Sequence, residues 1–288
     1  MLDPRTRALL DRYGLASRAL SRLSGERSAV EPGQSVEFHD YRAYQPGDEL
    51  RYVDWRVYAR TGRLYTRLYQ AERAVKLHLV LDGSASMALH GKARYARTVM
   101  RLLTYVAQRD APTQLHLLGG GASRPAQGRA GLRESWRFID EAAPTAGATP
   151  PITALKRFAL TLPALRGNAL VLVVSDLLED GSVRPALAAL RARGVDVGFL
   201  QVVAEEELDP PAGLLELVDV ESAEKLPVGP DEVRAYKAEV RGFLARTRSA
   251  ILQAGFKHLL LRVPAAQDGD VEREALAALI RSGTLVKR

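Results

Sequence analysis

The residues with the clearest chemical potential form one hexapeptide, Asp82-Gly83-Ser84-Ala85-Ser86-Met87, at the end of the apolar run KLHLVLD. In an extended or tightly turned backbone, alternate positions bring the Asp82 carboxylate and the Ser84 and Ser86 hydroxyls to bear on one point. An all-oxygen set suits a hard divalent cation, Mg²⁺ ahead of Mn²⁺ or Ca²⁺, and offers nothing to soft metals. Two later loops supply matching oxygen: Thr149 in Gly147-Ala148-Thr149, just ahead of a helical pattern, and Asp176, which follows ALVLVVS. Thr145 and Thr153 are alternative sources of that hydroxyl. Asp82, Ser84, Ser86, Thr149 and Asp176 together would carry a low ligand charge, leaving positions for water or a partner's carboxylate. Each residue also has a plainer use, because aspartates and serines after strands are common turn and capping groups.

An alternation of strands and helices has to position these side chains. Lys76–Asp82 reads as a buried strand, and Lys92–Arg109 as an amphipathic helix with Arg94, Arg97 and Arg101 opposite Ala96, Val99, Leu103 and Val106. Thr113–Leu118 is the next strand, and the Gly-, Ala- and Arg-rich stretch Gly119–Ala130 reads as a flexible connection. Helices follow at Arg133–Ala142 and Pro151–Leu162, then the most apolar run, Ala169–Ser175, which fits a central strand covered on both faces. A helix at Val183–Arg193, a strand at Val195–Val203, a long helix at Pro230–Leu252, a strand at His258–Val263 and a helix at Val271–Arg281 complete the series. Crossovers of this length imply an α/β fold, a mostly parallel doubly wound sheet with helices on both faces. Ligands of such folds bind beyond the carboxyl ends of the strands, where strand order reverses.

The amino-terminal quarter differs, and the sequence divides into a segment 1–74 and a main domain 75–288. Residues 1–25 read as helical. Gln45-Pro46-Gly47-Asp48 carries the residues of a type II turn, after which Asp48 is placed to cap a helix reaching Arg60, with Leu64–Tyr69 as a strand. Arg51, Asp54, Trp55 and Arg56 form a candidate partner-docking patch, and His90 a candidate rim residue of the Asp82 loop. The structural alternative, which the residue types favour, has Arg51 and Arg56 paired with Asp54 or Glu49 and Trp55 filling a groove.

Composition narrows the function classes. No cysteine occurs, which excludes a disulfide framework, a thiol nucleophile and any Cys-ligated metal. The net charge of +7 raises the question of nucleic acid, but the arginines are spread over the whole length without an aromatic-interleaved patch, so no nucleic-acid partner is expected. No apolar run suits a membrane span or a signal-peptide core, so no membrane insertion and a cytoplasmic location are expected. No phosphate-binding loop and no G-x-S-x-G elbow is present. The enzymatic alternative is a metal-assisted phosphohydrolase with Asp82 as nucleophile. Haloacid-dehalogenase-like enzymes place a second Asp two residues on as general acid, and here that position is Ser84.

Two resemblances draw these readings together. Asp82, Ser84, Ser86, Thr149 and Asp176 resemble, in order, the metal-ion-dependent adhesion site of von Willebrand factor A-type domains. The stretch FHDYRAYQPGDELRYVDWR (38–56), with Ala59-Arg60, resembles the signature of the bacterial family catalogued as domain of unknown function 58. The resemblance implies a Rossmann-like von Willebrand factor A-type fold, Mg²⁺ at the strand ends, and Asp176 acting through water. It also implies a non-enzymatic adaptor or co-chaperone for a MoxR-type AAA+ ATPase, with a client protein supplying an Asp or Glu. Many relatives carry amino-terminal membrane helices, and their lack here points to the soluble subgroup.

Overall fold

The computed structural model describes residues 2–16, 30–31, 38–70, 75–145, 149–163, 168–179, 181–210, 215–218, 225–264 and 270–288. The chain divides into two compact units, Leu20–Val75 and a larger unit of Met1–Ala19 with Lys76–Arg288. Helix α1 (Pro4–Leu10) opens the larger unit, with the Asp3 carboxylate accepting from the Arg5 and Thr6 amides and Pro4 in the first turn. Strand β1 (Tyr13–Leu15) follows, so the helix expected over residues 1–25 ends early, and residues 17–25 lie outside the described set.

Within the small unit, β2 (Val30–Glu31) and β3 (Phe38–Ala43) flank β4 (Tyr65–Gln70) in an antiparallel sheet, with α2 (Trp55–Thr61) between β3 and β4. The type II turn forms as expected: the Asp48 amide donates to the Gln45 carbonyl at 3.0 Å, and Gly47 has φ 105°, which a side chain would oppose. Asp48 does not cap a helix. Its carboxylate accepts from Arg42 (2.7 Å), the Gln45 amide (3.0 Å) and the Thr66 hydroxyl (3.1 Å). The expected single helix is instead a 3₁₀ turn at Leu50–Tyr52, then extended Val53 and Asp54, then α2. Asp54 is the cap, accepting from the Arg56 and Val57 amides at 2.9 and 3.1 Å. A capping aspartate takes a non-helical backbone, which explains why one continuous helix cannot run through it.

The larger unit is built on a five-stranded, all-parallel sheet in the order β11-β8-β7-β5-β6, formed by β5 (Lys76–Asp82), β6 (Thr113–Leu118), β7 (Ala169–Ser175), β8 (Asp196–Ala204) and β11 (Lys257–Val263). Every residue of β7 is buried, as the unbroken apolar run requires of a central strand. The helices are α3 (Lys92–Asp110), α4 (Gly128–Glu141), α5 (Pro151–Thr161), α6 (Arg184–Ala192), α7 (Glu205–Leu208), α8 (Pro230–Gln253) and α9 (Val271–Arg281). A hairpin of β9 (Leu215–Val218) and β10 (Lys225–Val228) precedes α8, and β12 (Leu285–Lys287) pairs antiparallel with β1. Among the described residues no helix is long and apolar enough to cross a membrane.

Two local expectations give way to packing. The arginine stripe of α3 is not simply a solvated face: Arg97 donates to the Ala142 carbonyl and Arg101 pairs with Asp140, tying α3 to α4. The Gly119–Ala130 connection is ordered against β6. Thr113 bridges Ala126 and His116 bridges Ala122, and α4 has already begun at Gly128.

Candidate functional site

Strand order reverses between β5 and β7, since the chain leaves β5 for β6 on one side and returns to β7 on the other. Asp82 and Asp176 stand at the carboxyl ends of these two strands, where a doubly wound sheet opens its ligand crevice. Both are buried, at 4% and 5% exposure. The Asp82 carboxylate accepts from the Ser84 amide at 2.8 Å, which folds the loop back on the strand end. Its other oxygen accepts from the Ser175 hydroxyl at 2.5 Å, and Ser175 in turn accepts from the Leu177 amide at 2.8 Å. The Ser84 and Ser86 hydroxyl oxygens lie 3.1 Å apart. Gly83 lies close against Leu117, where a Cβ would stand 2.9 Å from the end of the leucine side chain.

The two carboxylates also act on each other. Burial, followed by the charge of Asp176, pushes the Asp82 carboxyl up to about 6. Buried carboxylates with this problem recruit a cation, and the chain supplies one that the sequence reading did not single out. Lys92, the first residue of α3, is fully enclosed and donates to Asp176 at 2.9 Å and to Glu207 in α7. Burial disfavours the ammonium charge, yet the Asp176 and Glu207 carboxylates outweigh it and raise the Lys92 pKa. Removing one partner from such a buried ionic cluster typically costs about 3–5 kcal/mol.

Strain sits beside these groups. Leu177, buried at 1% exposure, has φ 56°, a conformation non-glycine residues rarely adopt. It is held by its bond to Ser175 and by the adjacent bond from the Leu178 amide to Asp176 Oδ1 at 3.0 Å. The Asp176 carbonyl accepts from Gln201 at 2.9 Å, which links it to β8.

The structure therefore gathers Asp82, Ser84, Ser86 and Asp176 at the strand ends. Thr149 stands apart in its bonding: its hydroxyl accepts from Arg157 at 3.5 Å, and it packs beside Gly119 at the end of β6. Thr153 is committed to Glu179, whose carboxylate also accepts the Ile152 and Thr153 amides at the start of α5. Thr145 donates its amide to the Gly83 carbonyl at 3.0 Å and its hydroxyl to the Ala143 carbonyl at 3.3 Å. His90 is exposed, with φ 49°.

A groove of about 1330 Å³ opens from this point. Ser84, Ser86, Lys92 and Asp176 line it, together with Tyr236, Val240, Phe243 and Leu244 of α8. No three His, Cys, Asp or Glu side chains cluster as metal ligands among the described residues. A cation at this site would therefore depend on hydroxyl oxygen beside the carboxylates, and the Asp82–Ser84–Ser86 donor chemistry fits a hard, mostly hydrated ion.

In the small unit, Asp54 is the hub of the candidate docking patch. Besides capping α2 it accepts from the Tyr41 hydroxyl (2.8 Å) and from Arg67 (2.9 Å), and its carboxyl is held well below the usual range by the Arg67 and Tyr41 bonds. Arg51 pairs with Glu49, one of the pairings expected from sequence. Trp55 is not buried in a groove. It is 55% exposed and meets Tyr58 edge to face, with Leu50 also exposed nearby in the chain.

Comparison with known families matches residues 40–246 to the family described as protein of unknown function DUF58, and the chain belongs to that family. No curated protein matches the chain.

Proposed function

We propose that the protein is a non-enzymatic, Mg²⁺-dependent protein-interaction module of von Willebrand factor A type, serving a MoxR-type AAA+ ATPase as adaptor or co-chaperone. The observation that carries the reading is the meeting of Asp82, Ser84 and Ser86 with Asp176 at the reversal of strand order. Asp82, Ser84 and Ser86 would hold the ion, with Asp176 acting through water and Thr149 completing the set. A bound Mg²⁺ supplies an open coordination position that a partner's Asp or Glu carboxylate can fill.

The chain's own residues prepare that position. Ser175 and the Ser84 amide orient the Asp82 carboxylate, and Lys92 holds Asp176 at the neighbouring strand end. The apolar wall of α8 offers the partner contact area beside the charged end of the groove. Trp55 and Leu50 give the small unit an exposed apolar feature, which supports a docking role for Arg51, Asp54, Trp55 and Arg56. Ser84, where a phosphohydrolase needs a second carboxylic acid, weighs against catalysis.

The test is capture from cell extract by the immobilised protein, in Mg²⁺ and in chelator. The proposal expects an AAA+ ATPase retained in Mg²⁺ and depleted in chelator. Retention indifferent to chelator would remove the metal mechanism, and no ATPase under either condition would remove the adaptor role.

A further inference from the structure

We propose that Lys92 is a resident cation of this site, and that a divalent metal drawing on Asp176 competes with the Lys92 ammonium for that carboxylate. The inference rests on the metal reading above and adds to it a built-in limit on how tightly the metal is held.

The geometry leaves little slack. Lys92 has no solvent-exposed side-chain surface, and it follows Gly91, whose left-handed backbone (φ 73°) turns the chain into α3. Its ammonium donates to Asp176 Oδ2 at 2.9 Å and to Glu207 Oε1. The remaining oxygen of each carboxylate is already in use: Asp176 Oδ1 accepts the Leu178 amide at 3.0 Å, and Glu207 Oε2 accepts the Ala204 amide at 2.8 Å. Asp176 also bears on the Asp82 loop: it lines one groove with Ser84 and Ser86, and its charge acts on the Asp82 carboxyl. Two cations drawing on one buried carboxylate repel each other strongly where water is excluded.

Glu207 gives the competition an outlet. It is anchored in α7 by the Ala204 amide at the end of β8, apart from Asp176 after β7, so the ammonium can stay paired with Glu207 while Asp176 turns to the metal's water. Without metal, the single Lys92 ammonium is shared by the two carboxylates and offsets one of their two charges. With metal, Asp176 must turn from Lys92 to the water that joins it to the ion, and that cost is subtracted from metal affinity.

The experiment is calorimetric titration of Mg²⁺ into the wild type, Lys92→Gln and Lys92→Arg. The glutamine keeps a hydrogen-bond donor and loses the charge, whereas the arginine keeps the charge. Lys92→Gln should bind Mg²⁺ at least about tenfold more tightly than the wild type, with Lys92→Arg no tighter than the wild type. Wild-type binding that Lys92→Gln leaves unchanged or weakens overturns the inference and leaves the metal reading standing. No Mg²⁺ binding by any of the proteins overturns both.

A second measurement needs no neutral variant. In wild-type protein labelled with ¹⁵N-lysine, which has only seven lysines to resolve, the Lys92 ammonium signal should shift along the calorimetric binding curve. A signal unmoved at Mg²⁺ saturation overturns the inference.

Discussion

Ser175 on β7 donates its hydroxyl to Asp82 Oδ2 at the end of β5, at 2.5 Å across two adjacent parallel strands. This bond makes the strand end a fixed platform, because the same hydroxyl oxygen accepts from the Leu177 amide and so holds the strained turn that carries Asp176. Ser175→Ala leaves a buried carboxylate oxygen and a buried amide without their partner. A loss of about 1–3 kcal/mol in urea-unfolding stability is expected. A loss within about 0.5 kcal/mol, the usual size of a surface change, would deny the bond that role.

Ser84 and Ser86 separate the site from the fold. Their hydroxyls face each other in the groove, Ser86 is half-buried, and the Ser84 side chain does not cap the 3₁₀ turn Ala85–Gly91 that contains Ser86. The double variant Ser84→Ala/Ser86→Ala should unfold within about 1 kcal/mol of the wild type yet lose Mg²⁺ binding by calorimetry. Mg²⁺ affinity unchanged in that variant would take the hydroxyls out of the ligand set.

Trp55 offers a test of the small unit as a docking element. With the residue more than half exposed and its edge-to-face contact made with Tyr58, Trp55→Ala should change unfolding stability by no more than about 0.5 kcal/mol. Retention of the ATPase in Mg²⁺ should fall sharply. Full retention would return Trp55 to the ordinary exposed surface.

Acid sensitivity should arise away from the candidate metal. His78 Nδ1 and His116 Nε2 lie 3.0 Å apart on β5 and β6, and both rings stack edge to face with Phe158. Burial lowers each to about 4, with Lys76 adding to the effect on His78 and His78 to that on His116. These groups bind protons more readily unfolded, where the ordinary pKa is about 6.5. Their neutral pairing therefore favours the fold above pH 6.5, and that advantage is lost as pH falls from there towards 4. For one such histidine the loss reaches about 2 kcal/mol by pH 4.5. Urea midpoints measured from pH 7 to 4.5 should fall in the wild type and fall less in His78→Leu. Equal slopes would place the acid sensitivity elsewhere.

Much of the sheet was legible because its signals are local. The run ALVLVVS fits a strand covered on both faces and is one, and the strands at Lys76–Asp82 and Thr113–Leu118 have the bounds their composition implies. The Asp82 loop was legible for the same reason, since carboxylate and hydroxyls are neighbours in sequence. The sequence places the helix cap at Asp48, whereas Asp54 carries it. Both are capping residue types, and the choice turns on tertiary partners, with Arg42 and Thr66 drawing Asp48 into the turn. Lys92 and Glu207 escaped notice because their pairing spans 115 residues and a charged residue at a helix start reads as solvated. The only sequence hint was the rarity of lysine in an arginine-rich chain. Trp55 was expected inside on residue type alone, and nothing in a single sequence says which side of a short helix meets the sheet.

The central claim is that oxygens of Asp82, Ser84 and Ser86 hold a divalent ion at the strand ends, and calorimetric titration of Mg²⁺ into wild type and Asp82→Ala tests it most directly. The account predicts one weak site in the wild type and none in Asp82→Ala. Equal binding by both proteins, or no binding by the wild type, would contradict it.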